Sequence, residues 1–378
     1  MRRIYLDHAA TAPLEPSVRK KMLPWLDCGN ASSLSLEGRR AKAAIDEARE
    51  VIAEALGCEF GEVIFTSGAT EAANAAILGI ALRNQAEGRS SVAISSAEHH
   101  CVIETGPLLR RLGVAVKVLP ADGSGLVDPE CLAGLEPGLL CAMHANNELG
   151  SIADIKKISR VAKAAGLLFF CDAVQTFMVP GCWPFGKLAQ MVDLAAISAH
   201  KIGGPKGIGA LYVRAGLKPV PLAVGGGQER EMRAGTENVA AIVGFAEAVK
   251  LRRKSQETRL PLRDRFLAAL RATGAVPSLM AGVPCLPGHV HVRWPGIQAE
   301  TLLIRLDQMG IAAASGAACS SGSTEPSHVL LAAGYSVEEA KEGVRFSFGL
   351  HTAPEDLDEA ARRIAEAVSA IRRMHGVG

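Results

Sequence analysis

The chain has 378 residues, enough for roughly two to three domains, and its 48% hydrophobic but only 4% aromatic content predicts cores built from Ala, Leu, Val and Ile. With 41 basic against 39 acidic residues and a formal charge of +2, it has neither the global basic field of a nucleic-acid binder nor an acidic tail. Nine scattered cysteines without a C-x-x-C pair form no disulfide framework or zinc site, so no metal is expected. The opening Met1-Arg2-Arg3-Ile4-Tyr5-Leu6-Asp7-His8 lacks the apolar core of a signal peptide, and no uncharged apolar stretch approaches ~18 residues. A cytoplasmic enzyme with no membrane span is the expectation.

In chain order, Ile4–Leu6 reads as a short strand, followed by the turn-rich Asp7–Pro13. Ala41, Ala44, Ile45, Ala48, Ile52, Ala55 and Leu56 form one apolar stripe, which predicts a helix from about Ser35 to Leu56, ended by Gly57. Glu62–Thr66 reads as a strand, Ser67–Thr70 as a tight turn, and Glu71 onward as an Ala-rich helix. Strands then follow at Val92–Ser95, Val114–Leu119, Leu139–His144, Leu167–Cys171, Leu194–Ile197 and Gly209–Val213. Between them, helices are predicted at His99–Leu112, briefly after Asp128-Pro129, and at Asp154–Ala165. A helix from Val239 to about Lys250 is followed by the charge-rich Leu251–Leu262, which breaks the rhythm and suggests a domain boundary near 250. Beyond it, strands at His289–Arg293, Ile311–Ala314 and Val344–Phe348 and helices at Glu300–Met309, after Pro326 and from Pro354 onward predict a smaller α/β domain. The expected class is α/β, with a mainly parallel sheet covered by helices and ligands at the carboxyl ends of its strands.

The polar residues cluster where that rule puts them. Lys201 follows the strand Leu194–Ile197, among glycines that let the chain approach a ligand. Desolvation would lower the pKa of such a lysine and free its amine to carry an aldehyde cofactor as a Schiff base; a solvated turn lysine is the competing reading. Ser67 and Thr70, at a strand–turn–helix junction, suit a phosphate cradle or a simple helix cap. Thr70, His99, Asn147, Asp172, Gln175, His200 and Lys201 all stand just after successive strands. Cys319 sits in the small-residue stretch Ser315–Pro326, where an exposed loop suits a nucleophile that must travel. Arg345, opposite in alternation to Val344 and Phe346, could offer a fork to a carboxylate or simply face solvent.

These residues lie in motifs that resemble the cysteine desulfurases of the NifS/IscS type, class V aminotransferase-like enzymes of pyridoxal phosphate fold type I. The matching runs are Tyr5–Thr11, Phe65–Glu71, Glu98-His99, His144–Gly150, Asp172–Gln175, Ser198–Lys201, Gly225–Glu229, Arg233–Asn238, the Cys319 stretch and Arg345–Ser347. The resemblance covers nearly the whole chain. It implies a large cofactor-binding domain (16–250) and a small domain (1–15 with 251–378) carrying the cysteine loop.

The cofactor it implies is pyridoxal 5′-phosphate, linked to Lys201, with Asp172 on the ring nitrogen, His99 stacked on the ring, and Asn147 and Gln175 towards its hydroxyl. Thr70, Ser198 and His200 would hold the phosphate, with Thr236 reaching in from a second subunit of a homodimer. Arg345, with Asn30, would bind the carboxylate of L-cysteine. Cys319 would take the sulfur as a persulfide, release alanine, and pass the sulfur to an acceptor such as an iron–sulfur scaffold or a thiolation enzyme. Three positions depart from the family pattern: Ala12 for threonine, Ser35 for histidine, and Ala317 for serine. A selenocysteine lyase or an aminotransferase would keep Lys201 and Asp172 without needing Cys319. A nucleotide role is disfavoured, because Gly203-Gly204-Pro205-Lys206-Gly207 does not satisfy G-x-x-x-x-G-K-[ST].

Overall fold

A computed structural model describes residues 2–88, 91–183, 185–255, 258–316 and 325–374. Its strands, in chain order, are β1 (Ile4–Tyr5), β2 (Val63–Thr66), β3 (Ser91–Ser95), β4 (Ala115–Leu119), β5 (Leu139–Cys141) and β6 (Leu168–Asp172). They continue with β7 (Leu194–Ser198), β8 (Gly209–Val213), β9 (Val276–Pro277), β10 (His289–Arg293), β11 (Ile311–Ala312) and β12 (Gly343–Ser347).

Seven of them form one sheet in the order β2-β8-β7-β6-β5-β3-β4. The pairs from β4 to β7 are parallel, whereas β8 runs antiparallel to both β7 and β2. Strands β5, β7 and β8 are buried along their whole length, as continuous apolar runs covered on both faces must be. Alternation sorts their side chains between two cores. Phe65, Phe169, Ala195 and Tyr212 face the helices Leu36–Leu56 and Val239–Lys254, while Ile64, Phe170, Ala196 and Leu211 face the helix Ala69–Ala86.

A third core is separate. Phe266, Trp294, Phe346 and Ile371 pack between the sheet β12-β10-β9 and the helices Leu260–Arg271 and Pro354–Met374. Ile4 and Leu6 join this core, because β1 pairs in parallel with β11. The chain therefore starts in the smaller core and crosses to the large sheet only after residue 6.

Several expectations change in detail. The helix expected over His99–Leu112 is two, His100–Ile103 and Thr105–Arg111. Pro107 explains the break, since its ring collides with the carbonyl four residues upstream, that of Ile103. The strand expected to reach His144 stops at Cys141, although His144 N still donates to Asp172 O at 3.0 Å. The charge-rich stretch after 250 is largely helical, with one helix running to Lys254 and the next starting at Leu260. Neither that second helix nor Pro16–Met22 was expected from apolar periodicity.

One unusual backbone stretch follows β8. Glu229, Arg230 and Glu231 have φ of 45°, 56° and 65°, three successive non-glycine residues in the left-handed region. Each costs roughly 1–2 kcal/mol, so packing has to impose the conformation.

Gly209 makes a close approach possible at the first residue of β8. A Cβ there would stand 2.6 Å from Ile197 O and 2.9 Å from Gly68 Cα. Both neighbours are backbone and have no rotamer to yield. Gly209→Ala should lower the unfolding free energy by about 1–3 kcal/mol, the usual range for overpacking. Denaturant unfolding checks this, and wild-type stability in the variant would mean that the Ser67-Gly68 turn is free to move.

Candidate active site

Strands β3, β5, β6 and β7 are parallel, so their carboxyl ends share one edge of the sheet. Two successive reversals, β7 to β8 and β8 to β2, return β2 to the same direction. The residues that follow these strands converge on a cavity of about 600 Å³ lined by Ser67–Glu71, His99, Asn147, Asp172, Gln175, Ser198, His200 and Lys201. Ala9–Thr11, Lys206, Gly316 and Arg345 also line it.

One end of the cavity is built for an anion. The helix Ala69–Ala86 begins there, and its unpaired N–H groups and dipole favour negative charge. Thr66 Oγ1 donates to Gly68 O at 2.9 Å, and Ser67 N donates to Glu71 Oε2 at 2.7 Å, so the turn is braced from both sides. Lys206 and His200 line the same cavity, and Thr11 Oγ1 lies 3.2 Å from His200 Nδ1.

Asp172, Lys201 and His99 line the same cavity. Asp172 ends β6, and its Oδ1 accepts from Val174 N at 2.9 Å. Burial pushes its carboxyl up to about 6, opposed by the Val174 hydrogen bond and the Lys201 charge. Lys201 Nζ donates to Ala9 O at 2.5 Å and to Ala10 O at 3.0 Å. His99 Nδ1 accepts from Cys101 N at 3.1 Å, which places the proton of the neutral ring on Nε2. Burial, and after it the Lys201 charge, lowers His99 to about 4, and the same two causes lower His200 to about 4. At neutral pH both imidazoles are therefore uncharged, beside the Asp172 carboxylate.

Arg345 is buried rather than solvated. Its NH1 donates to Asn147 O at 2.9 Å and its NH2 to Asp7 Oδ1 at 2.8 Å. Gln175 Nε2 donates to Ala9 O at 3.1 Å. The residues fit pyridoxal phosphate at both ends: a helix-start cradle for its phosphate and a buried carboxylate for its ring nitrogen. Asn147, between them, has a buried Oδ1 with no partner among the described residues.

Two expected residues are not brought to this cavity within the chain. Asn30 is exposed, its Oδ1 accepting from Ser32 N at 2.9 Å, and Thr236 is exposed in the segment after β8. Cys319 and Ala317 lie outside the described residues, though Gly316 lines the cavity. Ser35, one of the departures from the family pattern, caps the helix Leu36–Leu56 by accepting from Gly38 N at 3.1 Å.

Sequence reasoning missed Glu98 and the Asp7 partner of Arg345. Glu98 is fully buried, its Oε1 accepts from Met143 N at 2.6 Å, and burial with the nearby Asp172 raises its carboxyl well above the usual range. Its place beside His99 in a polar junction gave no sign of that burial. Among the described residues no cluster of His, Cys, Asp and Glu could hold a metal ion, and no helix is long and apolar enough to cross a membrane.

The sequence model of the Aminotransferase class-V family matches residues 4–359. The chain is 41% identical to the cysteine desulfurase IscS of Dictyoglomus turgidum, over 98% of this chain and 96% of that protein. It is also 41% identical to the cysteine desulfurase IscS of Methanosarcina thermophila, over 98% and 93%. Among solved structures, a NifS-like protein superposes with a TM-score of 0.90 at 32% identity, covering 97% of this chain and 100% of that one. SspA in complex with cysteine gives 0.79 at 33% identity, over 91% and 98%.

The burial of Asp172 has a measurable consequence. Its raised pKa means that the folded chain keeps a proton that the unfolded carboxyl, near 3.8, has already lost. In the cofactor-free protein, stability should therefore fall as pH rises from about 4 to about 6, by roughly 3 kcal/mol. Asp172→Asn should remove that decline and leave the variant more stable than wild type at pH 7. Parallel stability profiles for the two proteins over this range would contradict the assignment.

Proposed function

The chain belongs to the class-V aminotransferase family and is a pyridoxal phosphate-dependent cysteine desulfurase, and from there we propose that Lys201 carries the cofactor and Cys319 takes the sulfur. The observation that supports this most is the meeting of Lys201, Asp172 and His99 with the Ser67–Thr70 turn in one cavity. Bound there, the cofactor supplies an electron sink that weakens bonds to the substrate α-carbon.

The chain's own residues do the rest. Ser67, Thr70, Ser198 and His200 hold the phosphate. Asp172, ionised, accepts the ring N–H and keeps that nitrogen protonated. Asn147 and Gln175 hydrogen-bond towards the ring hydroxyl. Lys201 Nζ would take the α-proton of the substrate, and His99 would stack on the ring and exchange protons at Nε2. Arg345 pairs with the carboxylate of L-cysteine, the ligand bound to SspA, with Asn30 as a further contact. Cys319 Sγ, as thiolate, bonds to the substrate sulfur as the carbon–sulfur bond breaks. The electron pair of that bond stays with the carbon skeleton, which leaves as alanine once protonated. The sulfur stays on Cys319 as a persulfide until it moves to an acceptor, such as an iron–sulfur scaffold or a thiolation enzyme. The placement of Gly316 in the cavity wall, three residues before Cys319, favours this route.

We read the enzyme as a cytoplasmic homodimer with a large domain over 16–250 and a small one over 1–15 and 251–378. Leu26, Leu34 and Val224 are 64%, 89% and 81% exposed on the single chain, apolar side chains that a second copy would cover. Thr236, exposed and outside its own cavity, is then available to the phosphate site of the partner.

Lys201→Ala should abolish the visible absorption of the lysine-bound cofactor. Cys319→Ser should keep that absorption and lose alanine and sulfide formation from cysteine, while normal turnover would exclude the persulfide route. Supply of Thr236 across the dimer can be read in a mixed dimer of a Lys201→Ala chain and a Thr236→Ala chain. Its one live site has an intact Thr236 from the other chain and should turn over like wild type per site. Impaired turnover would mean that Thr236 acts within its own chain.

A further inference from the structure

The segment between β8 and the helix Val239–Lys254 cannot hold its own shape. It opens on Gly225-Gly226-Gly227, is largely exposed, and then takes three consecutive non-glycine residues through positive φ. Something outside the segment has to impose that path, and the structure shows what does.

Glu229 turns inward and is only 6% exposed. Its carboxylate meets Arg49 in a two-pronged ion pair at 2.6 and 2.7 Å and accepts Phe65 N at 2.7 Å. Arg49 comes from the helix Leu36–Leu56, is 3% exposed, donates to Val63 O at 2.7 Å, and lies 4.7 Å over the Phe65 ring. Phe65 N and Val63 O are on the free edge of β2, the last strand of the large sheet. The pair thus seals a sheet edge and fixes the segment to it in one register. Arg230 adds a contact over Phe60 at 5.0 Å. Arg233 makes a second attachment to Glu71 at 2.8 Å, the same Glu71 whose Oε2 holds Ser67 N. Gln228 Oε1 accepts Gly235 N at 3.1 Å, which closes the segment on itself just before Thr236.

We propose that Arg49 and Glu229 are a positioning pair that holds this segment so that Thr236 is presented to the phosphate site of the second copy. The inference rests on the dimer reading above and deepens it. An apolar pair of the same size could fill the space. It could not read the edge N–H and C=O groups of β2, and so would leave the position of Thr236 undetermined.

The effect must then be felt across the dimer, which a merely structural role would not require. The test uses mixed holoenzyme dimers in which one chain carries Lys201→Ala, so that only the other site shows the visible absorption of a lysine-bound cofactor. Glu229→Gln is placed either on the Lys201→Ala chain, which supplies Thr236 to the live site, or on the live chain. In the first placement cofactor loss from the live site should speed up by roughly tenfold or more, the scale of a lost hydrogen bond to a charged group. In the second it should keep the wild-type rate. Wild-type rates in both placements, acceleration only in the second, or equal acceleration in both would each overturn the proposal. Should Glu229→Gln fail to fold, the double substitution Arg49→Met with Glu229→Met, which leaves no unpaired buried charge, takes its place with the same expectations. Thr236→Ala in the same two placements separates the ideas. No effect across the dimer removes the dimer reading and the proposal with it. An effect of Thr236→Ala without one of Glu229→Gln overturns the role of the pair alone.

Discussion

A buried carboxylate sets the terms for the rest of the site. Asp172 is buried deeply enough that its carboxyl is drawn up to about 6, so the fold alone does not strongly favour its charge. Two neighbours tip the balance towards ionisation, the Val174 N–H and the Lys201 ammonium. The low dielectric that makes the charge costly also strengthens any cation or ring N–H placed against it. His99 and His200 feel the opposite side of the same arrangement: burial and the Lys201 charge keep both rings neutral.

That arrangement depends on strand direction more than on any single side chain. Asp172 and Ser198 end neighbouring parallel strands, which places the carboxylate and the lysine that follows Ser198 side by side. The reversed strand β8 then brings the chain back beneath the anion end, where Gly209 lies against Gly68. Because of the second reversal, β2 delivers its turn to the edge used by the parallel strands. A single reversal in place of two would send the Ser67–Thr70 turn to the opposite edge.

The strands of the large sheet were legible because their apolar runs are continuous, and the helix to Leu56 because its stripe is regular and bounded by Ser35 and Gly57. Residues expected at strand ends, from Thr70 to Lys201, do share one cavity. What stayed hidden were features that depend on partners distant in sequence. Arg345 read as forked or solvated, and only the fold reveals Asp7 and the Asn147 carbonyl as its partners. Nothing in the sequence marks Arg49, which follows Ala48 on the edge of an apolar stripe; its burial is intelligible only once Glu229, 180 residues away, is folded against it. The direction of β8 was illegible for a related reason. A short apolar strand after a glycine turn carries no information about which way its partner runs.

The segment Asp7–Thr11 shows how the two cores become one site. Leu6 N donates to Ala312 O and Ala9 N to Ser347 Oγ, which ties the segment to the smaller core. From the same few residues, Ala9 O accepts both Lys201 Nζ and Gln175 Nε2, and Asp7 holds Arg345. A guanidinium has five N–H donors, and the two observed contacts of Arg345 leave others for a substrate carboxylate. The Arg345 plane is already set by Asp7 and the Asn147 carbonyl, so an anion placed against it would cost little further side-chain freedom. Since Asp7 and the carbonyls of Ala9 and Ala10 belong to one short segment, the partner of Arg345 and the acceptors of Lys201 Nζ keep their spacing.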